Sequence, residues 1–329
     1  FEILKPDRHW GESVHRWAFA MQRSAFAKLL RRPAVGQNQS SIFVPSFLNQ
    51  LNKGTDRVHL IGVAGSGMSG LASLLLGLGH RVSGSDKATN QETRRLQAAG
   101  LEFFCPHTAE SVRGSSLVIY STAIKKGNVA YDAALAEGIL CVRRAEALAA
   151  ILQEKKGIIV AGTHGKTTTS SMAAHVLRSG GLNPSHYVGA EVPVLGVNAH
   201  WDHEGSYMVA EGDESDGTLV NFHPEHSVIL NIEAEHLDHY AGIAEIKAVF
   251  RKLLDQTSGT VVYCGSDPGA KDVCGGRANV LSYGWEATND YSAADLETIG
   301  QSSAFSVIRK GELLGKMVLN IPGRHNILN

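Results

Sequence analysis

Short apolar runs, each closing on a glycine-bearing turn and followed by a stretch with helical spacing, recur along most of the chain. Residues 58–63 form the first run, 64–70 the turn, and 68–78 an apolar helix. A second strand over 81–84 ends at Ser85-Asp86. A short helix follows over 93–99, a third strand over 117–120 and a helix over 130–137. At Gly157 the pattern restarts. Residues 158–161 read as a strand, 162–166 as a loop and 167–178 as a helix. Buried strands at 207–210, 227–230 and 260–263 follow, with an amphipathic helix over 243–254. Runs this apolar have no solvated face, and their alternation with helices predicts parallel βαβ units. Near the end, 305–308 and 316–321 alternate apolar and polar residues around Lys310-Gly311, which predicts a hairpin on a small antiparallel sheet. Two successive α/β domains are expected, 56–154 and 155–329, with the boundary near Gln153 to Gly157.

Residues 1–55 depart from this rhythm. Over 10–32, Trp17, Met21 and Leu29 recur at helical spacing among Arg16, Arg23, Lys28, Arg31 and Arg32. Residues 33–46 mix Pro, Gly, Gln, Asn and Ser, as a linker does. A basic amphipathic helix can lie on a membrane surface or carry a targeting signal. Lacking a signal peptide's apolar centre, this one reads as an accessory helix on the main body. The chain opens at Phe1 and closes where Ile327-Leu328 reads as a helix beginning, so a fragment is expected, its second domain incomplete.

Composition narrows the classes. The 31 Lys+Arg balance 32 Asp+Glu to a net charge of -1, which offers no basic field for nucleic acid. No run reaches the roughly 18 apolar residues of a membrane span. Four cysteines without CxxC spacing read as reduced thiols of a cytoplasmic protein.

Two glycine-rich turns carry the chemistry. Gly65-Ser66-Gly67-Met68-Ser69-Gly70 fits G-x-G-x-x-G between a strand and a helix, with Asp86 ending the second strand. Such a turn lets backbone N–H groups approach a diphosphate at a helix N-terminus, with the acid near a ribose. NAD and UDP-sugars both present that diphosphate, and the loop does not choose between them. Gly162-Thr163-His164-Gly165-Lys166-Thr167-Thr168 carries the GKT of a phosphate-binding loop. Val160 stands where the general pattern wants glycine, so the loop is a variant. Lys166 supplies a point charge for β/γ phosphate oxygens and Thr167 a hydroxyl for Mg²⁺, which points to a nucleoside triphosphate. The fold class is α/β: a Rossmann-like parallel-sheet domain followed by a P-loop-type α/β ATPase domain with the small antiparallel sheet.

A second metal anchor is expected beside the loop. Glu211 ends a buried strand on the ligand side of such a sheet, and His236 follows the end of the next. Thr167, Glu211 and His236 make a mixed oxygen and nitrogen set for Mg²⁺, with Mn²⁺ an acceptable substitute. Asp213, Glu214 and Asp216 read either as part of this site or as a solvated acidic turn. His236 and His239 lack the HExxH or cysteine setting of zinc.

These motifs, with Arg144-Ala145-Glu146, Asn198-Ala199-His200, Glu211-Gly212-Asp213-Glu214-Ser215-Asp216, Asn231-Ile232-Glu233-Ala234-Glu235-His236-Leu237-Asp238 and Pro322-Gly323-Arg324-His325-Asn326, resemble those of the bacterial Mur ligases. These are ATP-dependent amide-bond enzymes of peptidoglycan precursor synthesis, and the resemblance runs from about Arg57 to Asn329. It implies UDP-N-acetylmuramate on the first domain, through Gly65, Ser66, Gly67, Met68, Ser69, Asp86 and Arg144, with Asn198 and His200 near the muramoyl part. It implies ATP on the second, through Gly162 to Thr168, with Asn326 near the adenine. The catalytic set is then Lys166, Glu211 and His236. Met68-Ser69-Gly70 and Glu214-Ser215-Asp216 favour the member that adds L-alanine over the one that attaches a recycled tripeptide. The implied reaction runs through an acyl phosphate. Three departures stand beside it. The family's third, amino-acid-binding domain is expected to fall outside this piece, residues 1–55 have no recognised counterpart, and Arg251 falls near the place of a carbamylated lysine in sister ligases. The chain as given is expected to be inactive alone, a nucleotide-binding piece of that ligase, and an NAD-dependent oxidoreductase is the remote alternative.

Overall fold

A computed structural model describes residues 47–215, 217–237 and 239–329. The expected basic helix and the linker over 33–46 lie outside the described residues, as do Asp216 and Asp238.

The first unit runs β1 (Arg57–Ile61), α1 (Ser66–Gly77), β2 (Arg81–Ser85), α2 (Gln91–Ala98), β3 (Glu102–Phe104), β4 (Ser115–Tyr120), α3 (Val129–Ala136), β5 (Leu140–Arg143) and α4 (Arg144–Leu152). Its strands pair in the order β3-β2-β1-β4-β5, all parallel. The order reverses at β1, so the loop leaving β1 sits at the switch point where such sheets bind ligands. Every residue of β1 is buried, as a central parallel strand requires.

The second unit runs β6 (Lys156–Ala161), α5 (Lys166–Ser179), β7 (Ser185–Tyr187), β8 (Ala199–His200), β9 (Tyr207–Gly212), β10 (His226–Ile229), α6 (Ile243–Gln256), β11 (Val261–Cys264), α7 (Pro268–Cys274), β12 (Val280–Gly284), β13 (Tyr291–Ile299), β14 (Ser302–Arg309), β15 (Glu312–Leu319) and α8 (Arg324–Leu328). The described strands form one sheet, β15-β14-β13-β12-β11-β10-β6-β9-β7-β8. Its middle, from β7 to β13, is parallel, with β6 between β9 and β10. The small antiparallel part is β13 to β15, joined to the parallel strands through only two pairs, Tyr283↔Tyr291 and Gly284↔Ser292.

Several elements escape the hydrophobic pattern. β3 has three residues, too few for a period to register. Helix α4 is buried on all sides from Ala147 to Leu152, so no polar stripe marks it. One core cluster spans both sheets, from Leu60 and Leu71 of the first unit to Met208 and Phe250 of the second. Glycines let α1 press against the second unit: a Cβ on Gly77 would lie 2.5 Å from Trp201 Cβ, and one on Gly70 3.1 Å from the Tyr187 ring.

Candidate active site

The phosphate loop leaves β6 at the centre of the large sheet. Gly162 (φ +151°) has no room for a side chain, since a Cβ would lie 2.9 Å from Leu230 Cβ. Gly165 adopts φ +84° as the residue before α5, a left-handed conformation that glycine enters without steric cost. No side chain caps α5, nor α1 after Gly65, whereas Asn90, Asn128 and Asp267 cap α2, α3 and α7. The two glycine-rich turns thus leave first-turn N–H groups and positive helix ends open to an anion. Asn231, at the end of β10, fixes the loop from below. Its Oδ1 accepts from His164 N at 2.7 Å, its Nδ2 donates to His164 O at 3.0 Å, and its carbonyl accepts from Thr163 N at 3.1 Å. Beside the loop opens a cleft of about 460 Å³, lined by His164, Gly165, Thr168, Asn231, Tyr283 and Asn326, among others.

The acidic residues divide. Glu211 accepts on Oε1 from Ser170 Oγ (3.1 Å) and Gly189 N (2.8 Å). Its Oε2 and Thr167 Oγ1 flank the bare Cα of Gly189, where a Cβ would lie 2.7 and 3.4 Å from them. This gap with two hard oxygens suits Mg²⁺, which takes one or two protein oxygens and completes its shell with phosphate and water. Among the described residues no group of three or more His, Cys, Asp or Glu forms a cage, so Thr167 and Glu211 would hold the ion only together with such outside ligands. His236 (φ +53°) instead faces Glu214, with Nε2 3.7 Å from Oε1. Lys166 Nζ donates to both Glu214 oxygens, at 2.9 and 3.1 Å, and to Gly162 O at 2.6 Å. Burial pushes the Glu214 carboxyl above its usual range, against the pull of Lys166. The acidic turn is therefore only partly solvated. His164, exposed, lies 3.2 Å from Glu235.

Around the first loop the expected residues take distinct parts. Asp86 braces the loop: Oδ2 accepts from Ala64 N (2.8 Å) and Oδ1 from Lys87 N (2.7 Å). Met68 and Ser69 are buried under it. Arg144, opening α4, lies over Gly67, where a Cβ would fall 2.3 Å from its Nη1. It donates to the Tyr187 hydroxyl at 3.3 Å and reaches Asp213 at 3.6 Å. Tyr187 in turn donates to Gly67 O at 2.9 Å. Asn198 is turned inward, its Nδ2 bonded to Ser66 O (2.8 Å) and Ser69 Oγ (3.2 Å), so it ties the units together. His200 is exposed on β8 with its ring 6.1 Å from His186, and among the described residues no hydrogen bond joins it to the loop. Arg251, at the place of the carbamylated lysine, pairs with Asp272 at 3.2 Å.

Family profiles match both units: the Mur ligase family catalytic domain over residues 57–156 and the Mur ligase middle domain over residues 160–329. The chain belongs to the Mur ligase family. Among its relatives is a UDP-N-acetylmuramate–L-alanine ligase of Geobacter sp. strain M21, 41% identical over 83% of this chain and 60% of its own length. Another of that name, from Carboxydothermus hydrogenoformans, is 42% identical over 83% of this chain and 59% of its own length. The chain thus spans about 60% of the curated relatives it matches. Among solved structures it is similar to the UDP-N-acetylmuramate–alanine ligase of Thermotoga maritima (TM-score 0.74, 26% identity, 83% of this chain and 62% of that one). A UDP-N-acetylmuramate:L-alanyl-γ-D-glutamyl-meso-diaminopimelate ligase of Neisseria meningitides superposes equally well (TM-score 0.75, 26% identity, 83% and 90%).

In this Mur ligase chain, the parts played by three residues of the site were not written in the local sequence. Asn231, which clamps the loop, stood at the head of one motif and Tyr187, which carries Arg144, in none; the partners of both lie far away in sequence. Glu214 read either as part of the metal site or as a solvated residue, and nothing adjacent marked it as the partner of Lys166. No described helix is long and apolar enough to cross a membrane.

Proposed function

We propose that this chain carries the UDP-sugar and ATP sites of a ligase joining L-alanine to UDP-N-acetylmuramate, with ADP and phosphate released. The observation that carries the reading is the uncapped N-terminus of α5 with Lys166 in its first turn, beside a cleft sized for a nucleoside and lined by Asn326. The relatives at about 40% identity supply the substrates by their names.

The substrate carboxylate attacks the γ-phosphorus of ATP, an oxygen–phosphorus bond forms as the bond to ADP breaks, and an acyl phosphate results. The amine of L-alanine then attacks the acyl carbon, phosphate leaves, and the nitrogen gives up a proton. The open N–H groups of α5 and the Lys166 ammonium stabilise charge on the transferring phosphoryl group. Mg²⁺, or Mn²⁺ in its place, would supply further charge neutralisation when held at Thr167 and Glu211, while His236 faces Glu214 of the acidic turn instead. At the first loop, the α1 N-terminus and Arg144 take the diphosphate of the UDP-sugar, and Asp86 keeps the loop in shape. Four free thiols accord with a reducing, cytoplasmic setting.

Thermal-shift titration tests the sites. ATP and UDP-N-acetylmuramate each raise the unfolding midpoint and NAD does not; a shift by NAD alone overturns the reading. Phosphate release that requires both UDP-N-acetylmuramate and L-alanine tests the ligation. Release with the L-alanyl-γ-D-glutamyl-meso-diaminopimelate tripeptide in place of alanine assigns the chain to the tripeptide ligase instead. Binding of both nucleotides without any release leaves a nucleotide-binding piece.

A further inference from the structure

Glu214 is 1% exposed at the foot of the phosphate loop. The chain turns back on itself to place it there. β9 ends at Gly212, Asp213 Oδ1 accepts from Ser215 N at 3.1 Å, and Gly217 (φ +73°) donates to Glu214 O at 3.2 Å. The Tyr240 hydroxyl donates to the same carbonyl. The turn is thus held by its backbone, which leaves the carboxylate free to meet α5. Lys166 Nζ meets four acceptors: Glu214 Oε2 at 2.9 Å and Oε1 at 3.1 Å, Gly162 O at 2.6 Å and Thr163 O at 3.3 Å. An ammonium has three N–H donors, so none is left for a phosphate oxygen until one contact opens. Two of the four acceptors are carbonyls fixed by the loop itself. The carboxylate is the charged one, and His236 Nε2 at 3.7 Å gives it a second partner when Lys166 leaves.

We propose that Glu214 is an internal stand-in for phosphate, a positioning residue that holds Lys166 folded over its own loop and yields it to an incoming nucleotide. This rests on the phosphate-loop reading above. A carboxylate bonded to the lysine competes with phosphate for the same donors and repels it at short range. Removing that charge frees the ammonium, so nucleotide should bind more tightly. A carboxylate that only braced the fold would show weaker or unchanged binding on substitution.

The test uses the full chain with ADP and Mg²⁺ in isothermal titration, for the unsubstituted protein, Glu214→Gln, Lys166→Met and the double variant. Glu214→Gln should lower the Kd for ADP roughly fivefold, the effect of one competing charge at partly screened range. In the Lys166→Met background the same substitution should change the Kd little, because it acts through the ammonium. Thermal unfolding without ligand gives a second readout. Lys166→Met leaves a buried carboxylate without its main partner and should lower the midpoint by about 5 °C. Adding Glu214→Gln should restore most of that loss. An unchanged or raised Kd in Glu214→Gln overturns the proposal, as does an equal effect with and without Lys166. If Glu214→Gln alone does not fold, failure of the double variant to regain stability over Lys166→Met overturns it. Absence of ADP binding to the unsubstituted chain overturns the phosphate-loop reading and this proposal together. Binding there without tightening in Glu214→Gln overturns this proposal alone.

Discussion

Asn198→Ala separates two roles for one side chain, a strut between the units and a contact to the muramoyl group. Asn198 is 4% exposed, and its Nδ2 donates to Ser66 O at 2.8 Å and Ser69 Oγ at 3.2 Å across the junction. Its Oδ1 lies 3.5 Å from Arg95 Nη2, at the limit of a hydrogen bond. Alanine removes both donors. Ser66 O keeps the Ser69 hydroxyl at 3.0 Å but loses its tie to the second unit, and a small void opens beside Gly70. Two buried hydrogen bonds at about 1 kcal/mol each, plus about 1 kcal/mol for imperfect repacking, give a loss of roughly 2–3 kcal/mol. For a body this large that corresponds to a midpoint lowered by about 4–10 °C. Asn198→Asp should cost more, since it sets an acceptor against the Ser66 carbonyl and buries a charge. The assay is urea denaturation followed by circular dichroism, run beside titration of UDP-N-acetylmuramate. A stability loss under about 0.5 kcal/mol, the range of an indifferent surface change, would refute the strut. If UDP-sugar affinity fell at the same time, Asn198 would belong to the muramoyl contacts after all.

Other outcomes follow from the same geometry. Gly189→Ala places a methyl between Glu211 Oε2 and Thr167 Oγ1, and should raise the Mg²⁺ concentration for half-maximal nucleotide binding about tenfold with little change in fold stability; an unchanged metal titration removes this gap from the metal site. Gly67→Ala should displace Arg144 and weaken UDP-N-acetylmuramate binding about tenfold while ADP affinity stays the same, as parallel titrations would show. Burial, then the positive charges of Arg57 and His107, lowers the His59 pKa from 6.5 to about 3, with its ring nitrogens on Ser83 and Ser85 Oγ. The unfolded chain therefore takes up a proton below pH 6.5 that the folded chain refuses down to about 3, so the stability from neutral His59 is full above 6.5 and falls as pH drops through that window. The loss is on the order of 4 kcal/mol, and His59→Gln should flatten the fall in urea midpoint between neutral and acid pH.

How far the sequence could be read depended on where each residue's partner lies. The second loop was legible because its chemistry is contiguous: strand, glycines, Lys166 and Thr167 all fall within one local span. The α/β class was legible for the same reason, since buried strands are written as unbroken apolar runs. Helix α4 was not, because a helix buried all round has no amphipathic period. The first loop was legible as a glycine-rich turn between a strand and a helix, but the reasons for its glycines were not local. Gly67 and Gly70 make room for Arg144 and Tyr187, and Tyr187 lies more than a hundred residues away in sequence. Asp86 shows the limit of a fingerprint: the position is the expected one, yet both carboxylate oxygens accept from the loop's own neighbouring backbone.

The acidic turn after β9 gives this dependence its sharpest form. Its residues are consecutive and could all have been solvated. Asp213 meets Arg144 at 3.6 Å above the first loop, while Glu214 closes on Lys166 in the second. Neighbouring carboxylates therefore hold the cations of both glycine-rich turns. The Asp213 carboxyl, though disfavoured by burial, is kept below its usual range by Ser215, Lys166 and Arg144, while Glu214 is raised. One short segment thus feels both loops, and a change at Lys166 alters the field at Asp213 as well as at Glu214. Because β9 lies between β6 and β7 in the sheet, its end is the place from which a single turn can reach Lys166 on one side and the Tyr187–Arg144 pair on the other. The strand order, more than the acidity of the turn, is what makes those carboxylates part of the site.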